Sequence, residues 1–230
     1  LCTNHYQSDE YLDTEINQYN IENSDSKYRF DRLNQLIKRK QPLDVHDAIS
    51  ILRNQKGVDN ANLGLGNPKA INQLIAHHSI IFEPQEKRFW ISTSPYQIGE
   101  LICYDLDEVF ANAPKRTLSE KLYIDSLTIA EDPFVRTKAY QKFEYFKTIK
   151  KKLFDSYMVG IEYKLTETER EKYIKSNPES YVTYMSLGQY YLDREECDLA
   201  KKYFDLALTK DVASKDEEKK IKSLRDECDD

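Results

Sequence analysis

Residues 78–92 read His78-Ser79-Ile80-Ile81-Phe82, then Glu83-Pro84-Gln85-Glu86-Lys87, then Arg88-Phe89-Trp90-Ile91-Ser92. Two blocks rich in branched and aromatic residues flank a polar turn of hairpin length, the pattern of an antiparallel β-hairpin. A third short strand is expected over Glu100 to Tyr104, ending at Asp105-Leu106-Asp107. Upstream the period changes. After the polar stretch around Asn20 to Ser26, Tyr28 to Lys38 reads as helix, with Phe30, Leu33, Leu36 and Ile37 on one stripe. Leu43-Asp44 starts another short helix in which Ala48, Ile49 and Leu52 recur at helical spacing, and Gly57 follows as a stop. Asn60 to Asn67, with Gly64 and Gly66, reads as a loop. Alternating strands among helical segments make the fold class α+β.

From about residue 116 the chain reads as helix. Phe134 to Tyr157 places Ala139, Phe143, Phe146, Ile149, Leu153 and Tyr157 on one face. The other face carries Arg136, Lys138, Lys142, Lys147, Lys150, Lys151 and Lys152, either a solvated surface or a contact for an anionic partner. Farther on, Tyr184, Leu187, Gly188, Tyr191, Ala200, Phe204 and Ala207 are spaced as in a tetratricopeptide repeat, whose small residues let two helices approach while large ones fill the gap. Asn177-Pro178 breaks the chain before it, and Val212 stands near the place of the usual closing proline. Lys215 to Cys228 reads as a solvated capping helix. The expected organisation is a unit over 1–115 and an all-helical extension over 116–230 holding one such repeat, about 181–214. That repeat is either a helical hairpin packed on its own protein or a surface for a protein partner.

The chain has 230 residues, 34 Lys+Arg against 40 Asp+Glu, and a net charge of −6. This acidic balance argues against a nucleic-acid partner, whose footprint is basic. At 40% hydrophobic residues there is enough apolar material for a core, so disorder throughout is not expected. No apolar run approaches the roughly 18 residues of a membrane-spanning helix. The cysteines Cys2, Cys103, Cys197 and Cys228 form no C-x-x-C pair, and no histidine stands at metal-ligand spacing from them. Neither a metal nor a cofactor is expected. The even count leaves disulfides open, and the compartment with them.

The opening Cys2-Thr3-Asn4-His5-Tyr6, followed by Ser24-Asp25-Ser26-Lys27-Tyr28-Arg29-Phe30-Asp31-Arg32-Leu33, resembles the C-terminal half of the cysteine N-terminal-nucleophile (Ntn) hydrolases. The closest branch is the acyl-coenzyme A:6-aminopenicillanic acid acyltransferase family, related to penicillin V acylase and choloylglycine hydrolase. There a Thr-Asn-His-aromatic strand end precedes a serine-containing stretch that leads into a helix starting Arg-aromatic. The resemblance covers about residues 1 to 110. It implies part of a four-layer αββα sandwich. It also implies an N-terminal cysteine, exposed by autoproteolysis, that attacks a linear amide or thioester with its own α-amine as base. Asn4 matches the asparagine that helps form the oxyanion hole, and Arg29 the arginine beside the nucleophile, where a cation lowers a thiol pKa. His5 is expected to make only a structural hydrogen bond. Cys2 is a poor nucleophile, since Leu1 covers its amine and its neighbours match the asparagine motif. The nucleophile is therefore expected upstream of Leu1, on the N-terminal half of the same protein. Taken alone, an Asn at a strand end is ordinarily a turn or cap residue and an Arg at a helix start is solvated.

Overall fold

The computed structural model describes residues 1–76, 78–112, 117 and 120–229. The expected boundary at 115/116 lies outside the described residues. The fold is mixed α+β. Helices α1 (Asp9–Leu12), α2 (Glu15–Asn23), α3 (Ser26–Lys38) and α4 (Val45–Leu52) lead into strands β1 (Ile80–Glu83), β2 (Arg88–Ser92) and β3 (Leu101–Asp105). Helix α5 (Leu106–Asn112) and strand β4 (Ile124–Ile129) follow, then α6 (Lys138–Val159), α7 (Glu167–Ser176), α8 (Tyr181–Leu192), α9 (Cys197–Leu208) and α10 (Lys215–Asp226).

The four strands form an antiparallel meander in the order β1-β2-β3-β4. Ile80 pairs with Ile91, Ile81 with Trp90 and Phe82 with Phe89, so the expected antiparallel hairpin forms. Its turn is a 3₁₀ turn, Pro84–Glu86, closed by Lys87 in the left-handed region. Because side chains alternate across a strand, Ile81, Trp90 and Cys103 point to one face, where with Leu101 they bury against Ile49 of α4. A capping box holds the start of α4: Asp44 accepts from the Asp47 amide, and the Asp47 carboxylate accepts from that of Asp44. The opposite face carries two cross-strand rows, Ile80–Ile91–Ile102 and Phe82–Phe89–Tyr104. Phe89 stacks on Tyr104 at 5.0 Å, and Tyr123 extends the aromatic row. No described helix buries this face: Phe82 remains 67% exposed and Ile80 42%.

Strand β4 corrects the all-helical reading of the chain beyond residue 116. Ile124-Asp125-Ser126-Leu127-Thr128-Ile129 becomes a strand by pairing with β3, Leu101 opposite Ile129, across a register shift. The indole N–H of Trp90 fastens the same strand by donating to Leu127 O at 3.0 Å. The polar stretch before α3 is partly helical, since α2 runs through Asn23.

On α6, Phe143, Phe146, Ile149 and Leu153 are buried as the stripe predicts, whereas Ala139 is exposed. They meet α7 through Phe146 stacked on Tyr173 at 5.2 Å. Tyr184, Leu187, Tyr191, Ala200, Phe204 and Ala207 are all buried between α8 and α9, and Ile221 of α10 seals them. Leu74 and Ile98, from the first half of the chain, belong to this same core. The helical hairpin is therefore packed on its own protein.

At Gly188 the ring of Phe204 on α9 packs directly against the α8 backbone. A Cβ there would sit 2.6 Å from the ring of Phe204, which is fully buried and has nowhere to go. Gly188→Ala gains roughly 1 kcal/mol of helix propensity but forces an overpacked contact costing about 1–3 kcal/mol. The expected net effect is a loss of about 1–2 kcal/mol in urea unfolding, and a Gly188→Ala protein as stable as the parent would contradict this packing.

Candidate functional site

The residues singled out at the N-terminus gather at the start of α3. Asp25 precedes that helix, and Arg29 sits on its first turn with its guanidinium 2.7 Å from the Asp25 carboxylate. The same guanidinium donates to Pro68 O at 2.8 Å and, through Nη2, to the Asn4 side-chain oxygen at 2.5 Å. The Asn4 carbonyl accepts from the Asn20 amide of α2. Asn4 and Arg29 are therefore brought together across 25 residues of sequence. With Oδ1 taken by Arg29, the Asn4 amide nitrogen has no partner among the described residues, and Asn4 is exposed. It is a fixed donor facing solvent.

Beside it lies a buried polar cluster. His5 Nδ1 is 2.8 Å from Ser26 Oγ and 3.1 Å from Thr3 Oγ1, and Ser26 donates to Thr3 at 3.2 Å. Phe30 covers the imidazole edge-on at 5.4 Å. Ser26 is fully buried, so its hydroxyl cannot meet a substrate, and the Ser–His pair is a structural lock between the opening segment and α3. The motif contains Ser26 without assigning it a role; a serine at the first position of a helix is too common to stand out. Asn17 completes the frame, accepting from Tyr6 N and donating to Tyr6 O and Leu12 O.

Cys2 is exposed, and its thiol donates only to Thr3 O at 3.3 Å. The positive charge of Arg29 is shared with Asp25, so the field it can exert on a neighbouring thiol is reduced. Among the described residues, no group of three His, Cys, Asp or Glu side chains is placed to hold a metal ion. No helix in the described chain is long and apolar enough to cross a membrane.

Away from this cluster, a groove of about 650 Å³ runs between α6 and α7. Tyr145 lines it with Lys138, Lys142, Lys172 and Lys175. Lys172 lies over the Tyr145 ring at 4.1 Å, and Lys175 pairs with Glu171 at 3.1 Å.

No family model, curated protein or solved structure matches the chain. The candidate site thus stands on its own geometry.

Burial, then the nearby Lys27, holds the His5 pKa below its ordinary 6.5, against the opposing pull of Asp31. Below pH 6.5 the unfolded chain binds this proton more readily than the folded one, so stability present above 6.5 is lost as pH falls through it. Urea unfolding between pH 7.5 and pH 5 should show this loss. The His5→Gln protein should have a flatter pH dependence over the same interval, and an unchanged slope would mean that His5 is not the titrating lock.

Proposed function

We propose that this chain is the C-terminal part of an Ntn-type cysteine amidohydrolase or acyltransferase, acting on a linear amide or thioester. The nucleophilic cysteine lies on a segment outside these 230 residues. The observation that carries this reading is the Asn4 amide, turned outward by Arg29 and left with an unused donor. When a thiolate adds to an acyl carbonyl, negative charge collects on the carbonyl oxygen. A donor fixed in advance stabilises that charge without reorganising during the reaction. Arg29 is then a positioning residue, and its bonds to Asp25 and Pro68 O keep it from following solvent. The sheet supports the same reading. One face is covered by α4, and on the other Ile80 and Phe82 stay exposed with no described helix over them, as in an α/β half-sandwich awaiting a second sheet.

A second reading is a non-catalytic interaction module, with the lysine-lined groove between α6 and α7 taking an acidic segment of another protein. It is favoured by Lys138 and Lys142, which have no carboxylate partner among the described residues.

The test is a pH–rate series on the complete protein with a generic amide or thioester. Asn4→Ala should lower kcat by about 10²–10³-fold with a smaller change in KM. Arg29→Lys keeps the charge but loses the fork, so kcat should fall roughly tenfold without moving the pH profile. Arg29→Ala should also shift the profile upward, because a cation near the thiol is gone. The 230-residue chain alone should be inactive, and turnover abolished by Cys2→Ala would make Cys2 the nucleophile. Near-parental kcat in Asn4→Ala would overturn the enzyme reading in favour of the interaction module.

A further inference from the structure

A cavity of about 500 Å³ opens between the end of α4 and the chain that leaves β4. It shares no residue with the Asn4–Arg29 cluster and stands whether or not that cluster is catalytic. Arg53 and Asn54, just past α4, line it together with Asp132, which follows β4. Ile49, Ile129, Pro133 and Phe134 supply apolar walls. Each polar group is held by the fold and keeps one function unused. The Arg53 guanidinium donates through Nη2 to Gly99 O at 2.7 Å and Ala130 O at 3.0 Å, whereas Nη1 has no partner among the described residues. The Asn54 side-chain oxygen accepts from Arg32 Nε and the Lys56 amide, and its amide nitrogen has no partner among the described residues. Asp132 accepts from Phe134 N through Oδ1, and its own amide donates to Ile98 O; Oδ2 has no partner among the described residues. Arg53 and Asp132 thus line one cavity as opposite charges without forming an ion pair. Burial lowers the Arg53 pKa and Asp132 pulls it back up, so the carboxylate is near enough to be felt without touching. A clip between α4 and β4 accounts for Nη2 alone.

We propose that this cavity binds a free α-amino acid with an apolar side chain, whose two charges bridge Arg53 and Asp132. The ligand carboxylate accepts from Arg53 Nη1 and the Asn54 amide, both charge-assisted or aimed by bonds already made. Its ammonium donates to Asp132 Oδ2, and its side chain rests on Ile129 and Phe134. The charge pattern selects the class. A simple anion meets repulsion from Asp132, and a simple cation meets it from Arg53, whereas a zwitterion satisfies both. Because main-chain carbonyls and amides fix all three polar side chains beforehand, little ordering remains to be done on binding.

The full chain, labelled with nitrogen-15, is titrated with L-leucine, leucinamide and N-acetyl-leucine while its amide signals are followed by NMR. L-leucine should give saturable shifts concentrated in residues 46–55 and 129–134. The two derivatives each lack one charge and should bind about tenfold or more weakly. Asn54→Asp keeps the acceptor for Arg32 but sets a carboxylate where that of the ligand lies. L-leucine should then lose about tenfold or more, and leucinamide should bind better than L-leucine. Asp132→Asn keeps the cap on Phe134 N and removes the charge, so L-leucine should fall to the affinity of N-acetyl-leucine. No saturable shift with L-leucine up to about 10 mM, shifts confined to other residues, or an equal response to acetate or N-acetyl-leucine would sink the proposal. The three titrations of the parent protein decide it even where a variant fails to fold.

Discussion

A buried stretch without regular structure holds the two halves of the molecule together. Residues 61–76 contain neither helix nor strand, yet Leu63, Asn67, Ala70, Asn72 and Leu74 are almost fully enclosed. Main-chain amides and carbonyls taken out of water without a ladder must find other partners. Here asparagine side chains supply them. Asn177, just after α7, accepts from Leu65 N and donates to Leu65 O, acting as a one-residue strand. Asn67 donates to Leu63 O and Asp211 O, and Asn72 accepts from Leu74 N. Gly64 allows the approach: its φ is +75°, and a Cβ would lie 2.4 Å from Ser180 N. Held in this way, Leu74 enters the helical core, while the sheet packs on α4 in a second cluster of its own.

The same reliance on neutral amides appears around Arg32. Its side chain is fully buried on α3 with no ion pair among the described residues. Instead it donates to Asn54, Gln35 and Asn60. A buried cation is costly unless its donors are used, and the bonds to Asn54 and Asn60 tie α3 to the chain after α4. That connection fixes the first turn of α3, where Arg29 stands. The placement of Asn4 thus depends on a polar framework extending well beyond the residues that could touch a substrate.

The sequence made legible those elements whose cause is local. Residues 80–82 and 89–91 are branched or aromatic on both faces, and they form the antiparallel hairpin expected. Gly188, Ala200 and Ala207 mark a close helix approach by size alone, and the structure places all three in the interface between α8 and α9. Strand β4 was not legible, because Asp125, Ser126 and Thr128 give it no alternation and its strand state comes from β3. Helix α2 was hidden by three asparagines, one of which, Asn17, is buried and spends its amide on the opening segment. At the candidate site, Asn4 and Arg29 were found by resemblance. Their mutual hydrogen bond, and the Ser26–His5 lock beside it, join residues more than 20 positions apart and leave no mark in any short window.

Helix α10 looks dispensable in the sequence, since its surface is charged and only Ile221 is buried along it. In the fold it is the element that both ends of the chain share. Near its start, Asp216 accepts from the Tyr19 hydroxyl of α2 at 2.8 Å, and the ordinary tyrosine and carboxylate pKa values are driven apart by that bond. Beyond its end stand Cys228 and Asp229, against α9. The α2 that meets Asp216 also provides the Asn20 amide that holds the Asn4 carbonyl. An exposed hydrogen bond such as Tyr19–Asp216 is weak by itself, so its persistence depends on how firmly α10 is seated. Ile221 and the contacts with α9 do the seating. The helix that seems a solvated cap therefore lies two contacts from the asparagine on which the functional reading rests, and loosening its far end weakens the support beneath that asparagine.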